Sequence, residues 1–408
     1  MITVLVPTSA TDYESQLLSL VRSGTLPPFD PVLVDFVDAV SKAVLLDPVM
    51  RRMPEMAAVA HWMRKAHILE LRRSFEAQRG ERIWLPMGVA LHFAPSNVDS
   101  IFVYSWFISL LTGNGNIVRL SQRRGEQVDL LLATINRVCA QERFQPVRDR
   151  SLILSYDHDD AVTQHLSETC QIRVLWGGDD TVRRLRAIPL NPLATEVAFA
   201  NRFSLAVLNS APVAAAGDET LVSLATRFSN DSFWFDQMAC SSPRLVVWIG
   251  TAENCALAQR AFWHALAREV QKRGIEYPEV IGLNKMVAAY VSAATEIADE
   301  IFPGVTGIIS RLHVGKNAEG RFRTIECGGG LFFETELSRL DQLAPHMKAR
   351  DQTLSYFGFE QADLRRFALI LPARAVDRIV PIGSALDFNT VWDGHNLLQV
   401  FSREIDLR

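Results

Sequence analysis

The chain has 408 residues, 48% hydrophobic and 22% charged, with a net charge of −4 at pH 7. Acidic and basic residues are interspersed, which excludes the basic footprint of a nucleic-acid binder and a polybasic membrane patch. No apolar run approaches the roughly 18 residues a membrane-spanning helix needs, and the length exceeds what one core usually holds, so two packed domains are expected.

The start, MITVLVPTSATDYES, lacks a basic segment and a long apolar stretch and does not read as a signal peptide. The first eighty residues read as helical. DPVLVDFVDAVSKAVL and AAVAHWMRKAHILELRRSFE both carry apolar residues at mixed three- and four-residue spacing. A different rhythm begins near Met87. GVALHFA is a short apolar run, and PSNVDS follows as a turn and helix start. IFVYSWFISLLTG then reads as a buried helix. NIVRLS is a strand, EQVDLLLATINRVCAQE a helix, LILSY a strand, DAVTQHLSETC a helix and IRVLW a strand. GGDDTVRRLRAI starts the next helix after two glycines. Strands alternating with helices at this spacing imply a parallel sheet covered on both faces. Such sheets bind ligands beyond the carboxyl ends of their strands. The turns at 94–100, 121–127, 155–160 and 176–181 therefore matter most.

A second α/β segment begins between residues 200 and 210. SLAVLNS is a strand, and DETLVSLATRFSND is a helix with Asp218 and Glu219 in its first turn. The strand RLVVWIG and the helix CALAQRAFWHALAREVQKRG follow. The expected division is a helical N-terminal region over 1–85, an α/β domain over 86–205, a second α/β domain over 206–385, and a tail over 386–408 that returns to the core or to a dimer interface.

The common motifs of chemistry are missing. GNGNIV lacks the third glycine of a dinucleotide fingerprint and precedes a strand, and there is no P-loop, H-E-x-x-H or G-x-S-x-G. DHDD, Asp157 to Asp160, could suggest a metal, but its plainer reading is a strand-to-helix turn with an N-cap. CGGG, Cys327 to Gly330, reads as a flexible turn. The five cysteines, Cys139, Cys170, Cys240, Cys255 and Cys327, are odd in number, scattered and free of any C-x-x-C pair. Neither a disulfide framework nor a zinc ribbon is indicated, no metal site is expected, and a reducing cytoplasm fits best.

Cys240, in FDQMACSSPR, is open to three readings: a buried filler, a metal ligand or a nucleophile. Ser241-Ser242-Pro243 would expose backbone N–H groups in a tight turn, which can stabilise a thiolate and bind an oxyanion. A side-chain amide aimed at the developing charge suits the second requirement. Asn97 sits in a sheet-edge turn of the other domain, and such groups presented across a cleft would make an active site.

PSNVDSIFVYSWFISLLTGNGNIVRLSQ resembles the aldehyde dehydrogenase segment that runs proline, aromatic, asparagine, helix, glycine-asparagine, strand and then lysine-proline-serine. DQMACSSPR resembles the cysteine motif of the same superfamily. HFAPSNVDS, WGGDDTV, QMACSSP, KARDQTLS, DRIVPIG and WDGHNLL are similar to blocks of the LuxC-type acyl-CoA reductases, which supply aldehyde to bacterial luciferase. These blocks span Gly88 to the C-terminus. The resemblance implies an aldehyde dehydrogenase-like fold of two α/β domains with parallel sheets and a helical N-terminal region. It implies that Cys240 is the nucleophile and that Asn97, with the Cys240 N–H, holds the oxyanion. It places Arg119 and Ser121 at the adenosine ribose and its phosphate, Gly177 and Gly178 where the pyrophosphate nears a helix N-terminus, and Glu334 at the nicotinamide ribose.

The departures from that pattern are informative. Where aldehyde dehydrogenases carry the glutamate that activates hydrolytic water, EVAFANRFS has Ala198. A thioester on Cys240 would then lack a base for water attack. The superfamily lysine is Arg119, and the acid that follows lysine-proline-serine is Gln122, with Arg123 and Arg124 next. A lost carboxylate and gained guanidiniums favour the 2′-phosphate of NADP(H), although a solvated basic face is the plainer reading. Gln237 lies one position farther upstream of the cysteine than usual. Phe107, Phe233, Trp234 and Phe235 could line an acyl channel or simply fill cores. The implied activity is NADPH-dependent reduction of a fatty acyl thioester, on CoA or a carrier, to an aldehyde. The rival is a cofactor-free cysteine acyltransferase or thioesterase on the same scaffold. The implied partners are an acyl-CoA or acyl-carrier thioester, an acyl-transferring enzyme, and further copies of the chain in a dimer or larger assembly.

Overall fold

The structure, a computed structural model, describes residues 2–95, 101–302 and 307–408. The chain divides into two compact units, residues 1–201 with 388–408, and residues 202–387.

The first unit is built on a six-stranded sheet. Its strands are Thr3–Val6 (β1), Val89–Phe93, Gly115–Leu120, Ser151–Ser155, Ile172–Trp176 and Thr195–Phe199. A short strand, Ile83–Pro86 (β2), precedes the second of these. With it counted, the remaining five are β3 to β7, and the sheet order is β1-β5-β4-β3-β6-β7. Strands β3 to β7 run parallel, as the alternating pattern requires. Strand β1 corrects the all-helical expectation for the first eighty residues: Thr3-Val4-Leu5-Val6, β-branched at every position but Leu5, adds to the edge and pairs antiparallel with β5. The N-terminal helices belong to this unit as well. Helix Ile101–Leu111 is buried at every position, as a helix apolar on all sides must be. The tail returns to the same unit, where Ser402–Ile405 pairs antiparallel with β2.

Beneath the sheet lies a small polar network. His92 is buried between Ser105 Oγ at 2.8 Å and Asn116 Oδ1 at 3.1 Å, and the Trp176 indole donates to Ser105 at 3.1 Å. Burial holds this imidazole down at about 4, against the opposing pull of Asn116, so it is a neutral core group.

The second unit carries a seven-stranded sheet of Phe203–Asn209 (β8), Pro243–Ile249 (β9), Ala298–Phe302 (β10), Ser310–Val314 (β11), Leu331–Leu337 (β12), Asp351–Phe357 (β13) and Arg378–Pro381 (β14). The order is β10-β11-β12-β9-β8-β13-β14, parallel except for the edge strand β10. Phe228, Phe262, Trp263 and Phe332 interlock edge-to-face or tilted on one side of it, with centroids 5.1–6.3 Å apart. Two of the aromatic residues considered for an acyl channel are core instead. Phe107 packs on Phe36 and Trp106, and Phe233 on Phe332. No helix among the described residues is long and apolar enough to cross a membrane.

Candidate active site

Two sites emerge, one in each unit. In the first unit a cleft of about 700 Å³ opens beyond the carboxyl ends of the parallel strands. The turns after β3, β4, β5 and β6 line it, which are the four turns singled out by the alternating pattern. Arg119, Ser121, Gln122, Arg123, Gly177 and Gly178 all reach it. Tyr156, His158 and Thr181, in the turns already singled out, also border it, as does Arg184, which sequence reasoning missed. No local motif marks Arg184.

Each group has a distinct setting. The Arg119 guanidinium donates to the Tyr156 carbonyl at 3.0 Å and lies over the Tyr156 ring at 5.3 Å. Burial lowers its pKa, yet it stays a cation. Ser121 Oγ accepts from the Arg123 N–H at 3.2 Å, which fixes the start of the basic turn. Gly178 is the N-cap of helix Asp179–Arg186, so free N–H groups and the positive end of the dipole meet the cleft there. Asp179 and Asp180 in the first turn offset part of that potential, and Asp179 is occupied with the Asn201 N–H at 3.2 Å. Asp159 caps helix Asp160–Thr169 through the Val162 N–H at 3.1 Å, as the plainer reading of DHDD expects. Cations, hydroxyls and a helix N-terminus around one cleft suit a ligand with two or three phosphates. Ala198 lies on β7, packed against the apolar cluster beneath this sheet.

The second site surrounds Cys240, and its loop is held by distant segments. Helix Asp218–Phe233 ends, and Asp236 and Gln237 take left-handed backbone angles, with φ of +51° and +62°. Residues other than glycine occupy that region at a cost, so the surroundings must enforce it. The Gly329 N–H donates to the Asp236 carbonyl at 2.8 Å. The buried Gln237 amide accepts from the Gly330 N–H at 2.9 Å and donates to the carbonyls of Pro243 at 2.9 Å and Leu331 at 3.0 Å. Cys327 to Gly330 is therefore a tight backing for the cysteine loop. A Cβ on Gly328 would stand 2.4 Å from the Asp236 carbonyl oxygen.

Cys240 itself is half-buried. Ser204 Oγ donates to its carbonyl at 2.6 Å, and the Gln352 amide Nε2 donates to its sulfur at 3.5 Å. Arg244, four residues on, interacts with the charge of both Cys240 and Cys327. Its guanidinium donates to the Arg202 carbonyl at 2.9 Å and rests 4.8 Å from the Phe203 ring centre. The Ser241–Ser242 turn differs from expectation. Both serines are buried, and the Ser242 N–H is spent on the Ala239 carbonyl at 3.0 Å. Asn97 lies outside the described residues. Glu334 lies on β12, where its buried carboxylate is bound by Arg311 and by the Trp248 indole N–H at 3.1 Å.

The other thiols have different surroundings. Cys139 and Cys170 are buried, and burial pushes both up to about 12. Burial also raises Cys255 and Cys327, the latter opposed by Lys285 and Arg244. Among the described residues, no group of three or more His, Cys, Asp or Glu side chains is placed to hold a metal.

A family model described as acyl-CoA reductase (LuxC) matches residues 48–404. A long-chain acyl-protein thioester reductase of Photorhabdus laumondii is 25% identical over 312 residues, which cover 73% of this chain and 58% of that protein. The protein of the same name from Photorhabdus luminescens is 24% identical with the same coverage. The chain thus spans 58% of the length of these curated relatives. Among solved structures, a lactaldehyde dehydrogenase superposes with a TM-score of 0.64 at 11% identity, over 97% of this chain and 90% of the other. A betaine aldehyde dehydrogenase from Staphylococcus aureus, solved with NAD+, gives 0.64 at 12% identity, over 97% and 86%. At such identities the likeness establishes the fold, which is that of the aldehyde dehydrogenases.

Proposed function

Because the chain belongs to the LuxC family of acyl-CoA reductases, we propose that it reduces a fatty acyl thioester, carried on CoA or a protein, to an aldehyde through a thioester on Cys240. The observation that carries this reading is the contrast among thiols. Cys240 is half-exposed, with an N–H donor on its sulfur, whereas Cys139, Cys170 and Cys255 are sealed in cores and Cys327, also half-exposed, donates its S–H to the Gly328 carbonyl.

The Cys240 thiolate attacks the acyl carbonyl, and the carrier sulfur leaves with the bonding pair and takes a proton. One thioester replaces another, so the exchange is nearly balanced in free energy. The chain is held as a covalent intermediate while the carrier departs. When the aldehyde leaves, the bond between carbon and the Cys240 sulfur breaks and the thiolate returns. Asn97 is assigned to the carbonyl oxygen during both steps.

The cleft of the first unit fits a phosphorylated nicotinamide cofactor. Ser121, Arg123 and Arg184 would hold the adenosine end, the Gly177-Gly178 turn and the following helix N-terminus the pyrophosphate, and Arg119 the floor. When bound, the reduced cofactor supplies hydride. Gln122 in place of an acid, beside Arg123, supports NADPH over NADH. The rival, a cofactor-free acyltransferase or thioesterase, would leave this cationic cleft without a task. A reducing cytoplasm suits five cysteines that form no disulfide with one another among the described residues. An acyl-transferring partner enzyme and self-association are further parts of the proposal.

The test pairs activity with binding. Cys240→Ala abolishes acyl-CoA reduction and still quenches its tryptophan fluorescence with NADPH. Reduction by Cys240→Ala at the wild-type rate contradicts the covalent route, and failure of the wild type to bind NADPH favours the cofactor-free rival.

A further inference from the structure

A thiolate needs stabilisation, but an acyl-enzyme that must avoid hydrolysis is endangered by any group able to take a proton from water. A neutral N–H donor meets the first need without the second hazard, because an amide is no base at neutral pH. The structure shows how such a donor is aimed. Strands β8 and β13 pair in register Asp351 with Phe203 and resume only at Leu354 with Leu205. The pairing of β8 with β9 also shifts between Ser204 and Leu205. Irregularities of this kind re-aim a side chain beside a site.

Here the irregularity has three consequences. Ser204 Oγ accepts the Thr353 N–H at 3.2 Å and donates to the Cys240 carbonyl at 2.6 Å, tying the loop to the same break. The Asp377 N–H holds the Gln352 carbonyl at 2.8 Å. The Gln352 side chain, 1% exposed, delivers Nε2 to Cys240 Sγ at 3.5 Å. Its neighbour Asp351 is engaged by Arg323, with both contacts at 2.7 Å, so no carboxylate at that position turns towards the sulfur. Arg244 on β9 is itself surrounded by Cys240, by Glu326 and Cys327 in the turn before β12, and by Arg350 ahead of β13.

We propose that Gln352 is a catalytic residue of the Cys240 site, a neutral donor that stabilises the sulfur as a thiolate both when it attacks and when it is expelled. Arg244 adds a buried positive charge but no proton acceptor. The inference rests on the reading of Cys240 as nucleophile, and its test uses the free thiol so that the two can fail separately.

The experiment follows iodoacetamide alkylation of Cys240 against pH by peptide mass spectrometry, in the full chain without substrate. Gln352→Met removes the donor at similar volume, and Gln352→Glu keeps the shape but adds negative charge. Both are expected to alkylate about tenfold more slowly at pH 7, the scale of one hydrogen bond to a charged group, with the midpoint moved up by about one pH unit. Gln352→Glu is expected to move it further. Either variant following the wild-type curve while melting within a few degrees of wild type overturns the proposal. If one variant fails to fold, the other decides. Should wild-type protein fail to take an acyl group from acyl-CoA while the alkylation shifts appear as expected, the nucleophile reading falls and the donor role of Gln352 stands.

Discussion

The Gly330 N–H donates to Gln237 Oε1 across 93 positions of sequence, at 2.9 Å. That bond, with the two that Gln237 returns to Pro243 and Leu331, fixes the loop that ends in Cys240. Cys240 is thus set by a turn that looked like flexible punctuation.

Gly328→Ala tests this coupling. The added Cβ would meet the Asp236 carbonyl oxygen at 2.4 Å, so the cysteine loop must move. A displacement of about 1 Å at a reacting group costs on the order of 100-fold in rate. The expected result is a loss of that order in acyl-CoA reduction with the melting temperature within a few degrees of wild type, read by steady-state kinetics and thermal scanning.

Much of the scaffold was legible because it is local. The β3 to β6 strands are short apolar runs between helical patterns, and a parallel sheet puts its ligand turns at one end. What escaped is tertiary. Gln352 reaches Cys240 across 112 positions, through a strand irregularity that leaves no mark on composition. Glu334 was placed at the nicotinamide ribose by resemblance alone, and the sequence does not show its pairing with Arg311 and the Trp248 indole. Strand β1 was hidden by its length of four residues. The block KARDQTLS held the overlooked Gln352 all along.

Thiol reactivity should rank with environment. Iodoacetamide at limiting dose in native protein is expected to modify Cys240 well before Cys139 or Cys170, which burial keeps protonated at about 12. Cys170→Ala should retain full reductase activity. Peptide mapping and an activity assay check both.

Cofactor choice should follow the basic turn. Arg123 borders the cleft beside Ser121 and Gln122, so Arg123→Ala is expected to lower kcat/KM for NADPH about tenfold and leave NADH nearly unchanged. Arg119 is less suited to this test, because it also holds the Tyr156 carbonyl.

A pH effect on stability should come from Asp231. This buried carboxyl accepts N–H groups of Gly383 at 2.7 Å and Ala385 at 3.0 Å, and burial pushes it up to about 7 despite those bonds. The folded chain therefore holds this proton more tightly than the unfolded chain, where ionisation occurs near 3.8. Its contribution is complete below that value and is lost as pH rises to about 7. Between pH 5 and 8 the loss is on the order of 2–3 kcal/mol. Asp231→Asn should start about 1 kcal/mol less stable at pH 5, having one acceptor fewer, and show a flatter decline. Urea denaturation at the two pH values measures this.

The most direct measurement is the intact mass of the protein after mixing with long-chain acyl-CoA. The account predicts that the wild type gains the mass of one acyl group, that NADPH discharges it with release of aldehyde, and that Cys240→Ala gains none. An equal adduct on Cys240→Ala, or wild-type protein that makes aldehyde without ever carrying the acyl mass, would contradict it.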